Sequence, residues 1–216
     1  MRVDKSNENY IRSILNELNK LDYIKPDEIP NIDLYMDQVT TFMDEHLSFS
    51  KRYDEDKLLT KTMINNYTKN NLLPSPVKKK YSKEHMLLLI FIYYFKNIIS
   101  INDIQNILNP ITEKYFNNDA EHSLLDIYSE IFRVEKEQMD NTAKDVVKKF
   151  VKSRDTFEFV EDEKERTFLN SFSFICMLSF DVYVKKQIVE RLIDQMQKER
   201  DKENEGKDNK DNKAKK

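Results

Sequence analysis

KLLTKTMINNYTKNNLLPSPVKKKYSKEH, residues 57–85, is the stretch of sequence that decides the fold. Thr60 is suited to cap a helix, because its hydroxyl can accept a hydrogen bond from a free amide of the first turn. Leu59, Met63 and Tyr67 then recur at i, i+4 and i+8, so they share one side of that helix. The stretch therefore predicts a short helix with one apolar side and a polar side that carries lysine, threonine and asparagine.

The same stretch also predicts the elements after this helix. Pro74 and Pro76 end it, because a proline disfavours helical geometry at the residue before it. Residues 77–81, with three consecutive lysines, are expected to be extended and to form a short hairpin or wing. Ser82 then caps a helix over residues 83–97, which is apolar around most of its circumference and is expected to be central to the core.

The charge of the chain is concentrated in this region. From Lys57 to Lys83 there are seven lysines and neither Asp nor Glu, which gives +7. The net charge of all 216 residues is −3, so the remaining residues carry −10, the difference between the two values. One explanation is a surface that binds a nucleic acid. The other is an ordinary solvated loop and helix face, since short lysine runs are often only that.

Composition favours an all-α protein in the cytoplasm. The only glycine, Gly206, is in the tail, so tight β turns and glycine-rich phosphate loops lack the residue they need. Cys176 is the only cysteine, which gives no basis for an intrachain disulfide, and the first nine residues have no signal-peptide core. Residues 86–95 and 168–184 are too short or too interrupted to span a bilayer and are expected to be buried helices.

We divide the chain into four parts. Residues 1–30 hold an amphipathic helix, about Asn7 to Lys20, and a loop; residues 31–117 form the central domain, which begins with a helix at about Asp33 to Leu47. In that domain Ser100 and Asp103 open a short helix that Asn109-Pro110 is expected to close. Residues 118–200 hold two long helices, at about 120–152 and 162–200, and residues 201–216 form a charged tail that is expected to be disordered.

The central domain resembles the DNA-binding domain of the MerR class of bacterial transcription regulators. The residues that carry the resemblance are Leu59-Thr60, Ile64, Asn66-Tyr67, Leu72-Leu73-Pro74 and Lys80-Tyr81-Ser82-Lys83-Glu84-His85, followed by an apolar helix. Residues 30–115 as a whole are similar to an uncharacterised MerR-like family catalogued as a domain of unknown function. The resemblance implies an all-α fold, a MerR-like winged helix-turn-helix with a minimal wing, accompanied by the N-terminal helix and the two long C-terminal helices.

The resemblance also implies a DNA-binding site. It puts the recognition helix at Thr60 to Asn70 and the wing at Leu72 to Tyr81. Base or phosphate contacts in the major groove would come from Thr62, Asn65 and Asn66, and phosphate contacts from Lys61, Lys69, Lys78, Lys79 and Lys80. Tyr67 either reaches a phosphate with its hydroxyl or belongs to the core. Relatives of this class dimerise through a long helix, so we expect a homodimer on double-stranded DNA, with the helix at residues 162–200 as its seam.

An enzyme and a protein-interaction module are the other classes of function. We expect no enzyme, no cofactor and no metal site, because His46, His85 and His122 are isolated and Cys176, surrounded by apolar residues, reads as an inert buried thiol. His85 reads as a surface or boundary histidine. A helical protein-interaction module that uses the same scaffold without DNA is the alternative to DNA binding. The aromatic stretch from Phe168 to Tyr183 is core, dimer seam or ligand pocket.

Overall fold

The computed structural model describes residues 12, 13, 16, 24–118 and 120–214, with side chains up to residue 204. Over these residues the chain is mostly helical, which confirms the all-α expectation at that level. The expected helix at Asn7 to Lys20 lies outside the described residues, except that Arg12, Ser13 and Asn16 are helical. The elements in chain order are β1 (Leu34–Tyr35), α1 (Met36–Leu47), a 3-10 turn (Ser48–Ser50), α2 (Lys61–Lys69), β2 (Lys80–Tyr81), α3 (Lys83–Lys96), α4 (Ile101–Tyr115), α5 (Leu124–Arg154) and α6 (Glu163–Ala214).

Helix α3 forms the centre of the core, as its apolar circumference predicted. Every residue from Met86 to Tyr93 is buried. The helix contacts β2, α4 and α5, and its side chains join one core cluster with Val39 and Met43 of α1 and Ile64 of α2. Burying a single large apolar side chain stabilises a fold by about 1.5–3 kcal/mol. This run is therefore the main source of stability for the domain around it.

The first helix of the domain begins three residues later than the sequence suggested. Leu34 and Tyr35 are extended and pair antiparallel with Tyr81 and Lys80. Helix α1 then starts at Met36, where the Gln38 side-chain oxygen accepts a hydrogen bond of 2.9 Å from the Tyr35 amide. The prediction of a helix from Asp33 was wrong because a partner strand far along the chain takes Leu34 and Tyr35 into a sheet.

The prediction that Asn109-Pro110 closes the fourth helix was also wrong, because α4 continues through Pro110 to Tyr115. Proline has no amide hydrogen, so the carbonyl four residues earlier, that of Asn106, loses its helical partner. In the structure that carbonyl accepts a hydrogen bond of 2.6 Å from Nη2 of Arg200 in α6. A side chain 94 residues away therefore compensates for the proline.

The two long C-terminal helices are present, with somewhat different ends. Helix α5 opens with a capping box in which Ser123 and Asp126 each accept from the other's backbone amide, at 3.1 and 2.8 Å. Helix α6 does not end near Arg200 but continues to Ala214, in contrast to the disordered tail expected from residue 201. Extending an existing helix needs no new nucleus, and the lysine and glutamate residues of this tail are good helix formers.

The two apolar stretches differ in burial. Residues 86–95 lie in α3 and are largely buried, as expected, but much of the stretch 168–184 in α6 is exposed. Cys176 is exposed as well, so its interpretation as a buried thiol was wrong. The helix that contains this stretch, over Glu163–Asn204, is long and apolar enough to cross a membrane by length and composition alone, and 11% of its most apolar 18-residue window is buried. The composition of the stretch 168–184 indicated burial, but among the described residues only α5 packs against this part of α6, so one side of the stretch stays exposed.

Candidate nucleic-acid interface

Helix α2 has the two sides that its sequence predicted. The Thr60 hydroxyl accepts a hydrogen bond of 3.1 Å from the Met63 amide, which confirms Thr60 as the N-cap. Ile64 and Tyr67 are buried against the core, and the opposite side is exposed. The exposed side brings together Lys61, Thr62, Asn65, Asn66 and Lys69.

Tyr67 does not belong to the exposed side. Its ring is buried in the core cluster, and burial raises the pKa of its phenol. Its carbonyl accepts hydrogen bonds from the amides of Leu72 and Leu73, at 2.9 and 3.2 Å, which closes the end of α2. The structure thus places the Tyr67 ring among the residues that position the helix.

Residues 77–80 form a two-residue hairpin with lysines at its tip. The Val77 amide donates to the Lys80 carbonyl at 3.1 Å, and the Lys80 amide donates to the Val77 carbonyl at 2.9 Å. Lys78 and Lys79 both have positive φ angles, 51° and 65°. Two consecutive left-handed residues define the type I′ turn, which normally holds Asn-Gly because other residues pay about 1–2 kcal/mol each there.

This turn holds two exposed cations in an unfavourable backbone conformation. Left-handed non-glycine residues persist where the surrounding structure fixes them, and they concentrate at functional sites. The hydrogen bonds to Val77 and the pairing of β2 with β1 fix this turn. The side chains of Lys78 and Lys79 are therefore carried at a defined place in solvent rather than on a loose loop.

Strand β1 adds an aromatic residue that local sequence patterns did not identify. Tyr35 pairs directly with Lys80 across the two strands, and the Lys80 ammonium lies 5.3 Å from the centre of the Tyr35 ring. The ring is about half exposed, so it flanks the base of the hairpin. A cation over an aromatic face is stabilised by the ring quadrupole. Only the long-range strand pairing could have revealed this contact.

The basic segment has no acid in its sequence, but the fold brings one near. The Lys61 ammonium forms an ion pair with the Asp37 carboxylate of α1, and both side chains are more than half exposed. Exposed ion pairs of this kind contribute little to stability. The pair nevertheless offsets the charge of Lys61, which leaves Lys69 and the hairpin lysines as the stronger part of the basic surface.

Two hydrogen bonds fix the ends of α2. The Lys96 ammonium of α3 donates to the Leu58 carbonyl at 2.6 Å, two residues before the N-cap, and burial lowers the pKa of Lys96. The Gln105 side chain of α4 donates to the carbonyl of Asn70, the C-cap residue. Both donors come from elements far along the chain, so no local pattern indicates them. They hold the helix at both ends while its polar side stays exposed.

His85 supports the hairpin from below. It is buried, not a surface or boundary residue as expected, and its Nδ1 accepts a hydrogen bond of 3.0 Å from the Ser82 amide. Its ring packs edge-on against Tyr81, at 5.4 Å, and Phe116, at 4.8 Å. Burial lowers its pKa, and the backbone carbonyls of Ser75 and Pro74 act in the opposite direction. The ring therefore links the first turn of α3 to the segment that leads into the hairpin.

Within the described residues, no group of three or more His, Cys, Asp and Glu side chains is placed to hold a metal ion. His46 contacts the Phe42 carbonyl of its own helix at 3.0 Å, and His122 is exposed in the loop before α5. The residues described above form one candidate site, a surface made of the polar side of α2 and the lysine hairpin.

Residues 24–132 match the family described as a domain of unknown function, DUF1836. The match covers 109 of the 216 residues, and the chain belongs to this family. The searches of curated proteins and of solved structures found no match to the chain. The matched residues include α2, the hairpin and the buried α3, whereas α6 lies entirely beyond them.

Proposed function

We propose that this protein binds double-stranded DNA in a sequence-dependent way and regulates transcription in the cytoplasm. In this proposal the domain acts as a MerR-like winged helix-turn-helix with a minimal wing, and the protein works as a homodimer. Helix α2 enters the major groove, where Asn65 and Asn66 read adenine through its N6 and N7 atoms, with Thr62 beside them. Lys69, Lys78, Lys79 and Lys80 bind phosphates, and Lys61 contributes once it leaves Asp37.

The observation that carries this proposal is the hairpin tip. Lys78 and Lys79 stand in a turn that favours Asn and Gly, at a backbone cost of about 1–2 kcal/mol each. A turn whose only task was to connect two strands would be more stable with the favoured residues. The cost is understandable if the two ammonium groups are needed at that position, and a polyanion is the partner that such a pair suits.

The fixed ends of α2 support the same function. A helix that reads bases must keep its exposed side chains in register with the groove. The hydrogen bonds from Lys96 to Leu58 and from Gln105 to Asn70 hold it without using its exposed side. Asparagine is a mediocre helix former, so helix propensity does not explain the adjacent pair Asn65-Asn66 on that side. Contact with bases would explain it.

A second candidate is a protein partner on the same surface. Tyr35 and Val77 are both more than half exposed at the base of the hairpin, and large side chains of this kind suit a protein interface. A partner that met both these residues and the lysines would carry an acidic rim around an apolar centre. The two candidates differ in one measurable property, which is binding to naked duplex.

The experiment that tests the proposal measures binding of the full chain to a fluorescent random-sequence duplex across a salt series. Wild type is expected to bind with a slope of log affinity against log salt near about −7, if each protomer of a dimer neutralises roughly four phosphates. Changing Lys78, Lys79 and Lys80 together to Ala is expected to lower the affinity at least about 100-fold and to remove most of that slope.

Two control variants make the result specific. Lys136, Lys144 and Lys152 are exposed lysines of α5, and their change to Ala removes the same charge elsewhere. This variant is expected to keep most of the affinity. Lys78→Asn with Lys79→Gly removes two charges while favouring the turn, so a loss of binding here reflects charge rather than a lost hairpin. If neither wild type nor any variant binds duplex even at low salt, the proposal of DNA binding is wrong, and the protein-partner function becomes the one to test.

A further inference from the structure

Helix α6 has an aromatic face that its own chain leaves uncovered. Phe168, Phe172, Ile175 and Val182 follow at i, i+4, i+7 and i+14 and lie on one stripe of the helix. Phe180 and Tyr183 flank this stripe, with ring centres 6.5 Å apart. All six side chains are more than half exposed. We call these six residues the aromatic face.

The opposite side of this part of α6 is packed against α5. Phe174 is buried and meets the Phe150 ring at 5.5 Å, and the Thr156 hydroxyl lies 3.1 Å from the Asn170 amide. The Asp181 carboxylate pairs with the Lys149 ammonium at 2.6 Å. Helix α5 therefore occupies one side only, and a second partner is needed to cover the other.

We propose that the aromatic face is the seam between two copies of this chain. The four aromatic rings are between 53% and 70% exposed. An aromatic side chain offers roughly 200 Å² in full, so the rings alone present about 500 Å² on each copy. Two copies that cover each other's rings then bury about 1,000 Å², which is the lower limit for a stable protein interface, and Ile175 and Val182 add to it.

Charge favours a second copy over a partner of different chemistry. Residues 167–180 contain no Asp, Glu, Lys or Arg. A neutral face can meet its own image across a two-fold axis without like-charge repulsion, and it has no charge with which to select an acidic or basic partner. Ser179 lies on the same stripe as Phe172 and Ile175, which leaves room for a large ring of the facing copy.

A bilayer fits this face poorly. The aromatic face extends over 16 residues, Phe168 to Tyr183, or about 24 Å of helix, whereas the hydrocarbon core is about 30 Å thick. Helix α5 is joined to the other side by the Lys149–Asp181 ion pair, and it would take the exposed lysines at 144, 148 and 152 into the lipid. Charged side chains within a bilayer are costly.

The proposed seam narrows the expectation from sequence, which gave the whole helix at residues 162–200 and left the stretch 168–183 as core, dimer seam or ligand pocket. The stripe Ile188, Leu192 and Met196 is exposed but lies on another side of α6, toward the end that is attached to α4. There the Gln197 oxygen accepts from the Asn106 amide at 2.9 Å, and Arg200 binds the Asn106 carbonyl. The aromatic face is thus held at a fixed position relative to the domain that carries α2.

The test compares two substitutions of the same residue type on the same helix. Ile175 lies in the aromatic face and Ile188 outside it, and they are exposed to a similar extent. In light scattering on a sizing column, wild type and Ile188→Glu are expected at twice the chain mass of 26.0 kDa, and Ile175→Glu at 26.0 kDa. A monomeric wild type, or an Ile175→Glu variant that remains a dimer, would overturn the proposal.

Cross-linking of wild type gives a second measurement that needs no substitution. Cys176 is the only cysteine, is exposed, and lies at the middle of the aromatic face in sequence. Helices that pair across a two-fold axis lie about 8–10 Å apart, so a short bis-maleimide is expected to join two chains. A dimer that gives no cross-link has its seam elsewhere, and the proposal then fails.

Lipid and DNA serve as separate arms of the same experiment. Wild type is not expected to float with phosphatidylcholine–phosphatidylglycerol vesicles; flotation that Ile175→Glu abolishes would assign the face to lipid and overturn the proposal.

The inference rests on α6 and stands without DNA binding. A dimer that does not bind duplex refutes DNA binding and leaves the seam intact. A monomer that binds duplex refutes the seam and the homodimer of the proposed function, and leaves DNA binding intact. If both hold, Ile175→Glu binds with about half the salt slope.

Discussion

Helices α3 and α6 each contain a long apolar stretch, and they differ in what surrounds it. The stretch in α3 touches β2, α4 and α5 and is buried on every side. The stretch in α6 touches α5 and leaves its aromatic face in solvent. The first is a core that is already complete within one chain. The second is the face that we propose as an interface. The difference shows that an apolar sequence does not by itself reveal whether the same chain provides residues to cover it.

The largest expected effect is the difference in stability between two variants that carry the same truncation, Leu to Ala, one in each helix. Leu88 of α3 is fully buried and Leu192 of α6 is about half exposed, outside the aromatic face. We expect Leu88→Ala to lower the free energy of unfolding by about 2–5 kcal/mol, through lost burial and a cavity. Leu192→Ala should change it by no more than about 0.5 kcal/mol. Urea unfolding followed by circular dichroism measures both, and similar losses would mean that α6 is covered by its own chain.

A smaller effect should reveal what attaches α6 to the domain. Arg200 donates to the Asn106 carbonyl, which lacks a helical partner because residue 110 is proline. We expect Arg200→Ala to cost about 1–2 kcal/mol, since the bond is charge-assisted but only partly buried. Pro110→Ala restores an amide that can bond to Asn106, so Arg200→Ala should cost much less in that background.

The two substitutions thus form a double-mutant cycle, for which both the sign and the size of the coupling free energy are predicted. A coupling free energy of about 1 kcal/mol between positions 110 and 200 is expected, and equal costs of Arg200→Ala in both backgrounds would refute the compensation. Gln197→Ala serves as the control, because Gln197 binds the Asn106 side chain rather than its carbonyl. Its cost should not depend on residue 110.

Much of the domain could be predicted from local sequence signals, for physical reasons. The Thr60 cap, the polar side of α2 and the burial of α3 each depend on residues within a few positions of one another. Most of the departures depend on which distant residues are present as partners; the continuation of α6 to Ala214 is the exception, because it extends an existing helix. Leu34 and Tyr35 pair with β2, Arg200 lets α4 pass Pro110, and too few neighbours surround the stretch at 168–184.

The candidate site divides in the same way. Periodicity indicated which residues of α2 are exposed, and the lysine run indicated where charge is concentrated. Neither pattern could show that Asp37 would pair with Lys61, or that Tyr35 would lie against Lys80, since both contacts depend on the tertiary fold. The positive φ angles of Lys78 and Lys79 were equally hidden, because lysine does not ordinarily prefer that conformation.

The smallest effect concerns pH and the first turn of α3. Burial lowers the pKa of His85 below its ordinary value of 6.5, and its Nδ1 accepts from the Ser82 amide, so the folded chain disfavours the protonated ring. As pH falls below about 6.5, the unfolded chain takes up a proton that the folded chain does not. The free energy of unfolding should therefore be at its full value above pH 6.5 and should decline as pH falls toward the lowered pKa.

His85→Gln isolates this contribution because glutamine is the usual residue at this position of a capping box and can accept from Ser82 without titrating. We expect the variant to show a weaker loss of stability between about pH 7 and 5 than wild type. His122→Gln, which changes an exposed histidine, should keep the wild-type dependence of stability on pH.

Since His85 packs on Tyr81, the base of the hairpin should loosen as the His85 ring becomes charged. Hydrogen exchange at the Lys80 amide should then quicken with acid only where His85 is present, beyond the intrinsic pH dependence seen in the glutamine variant.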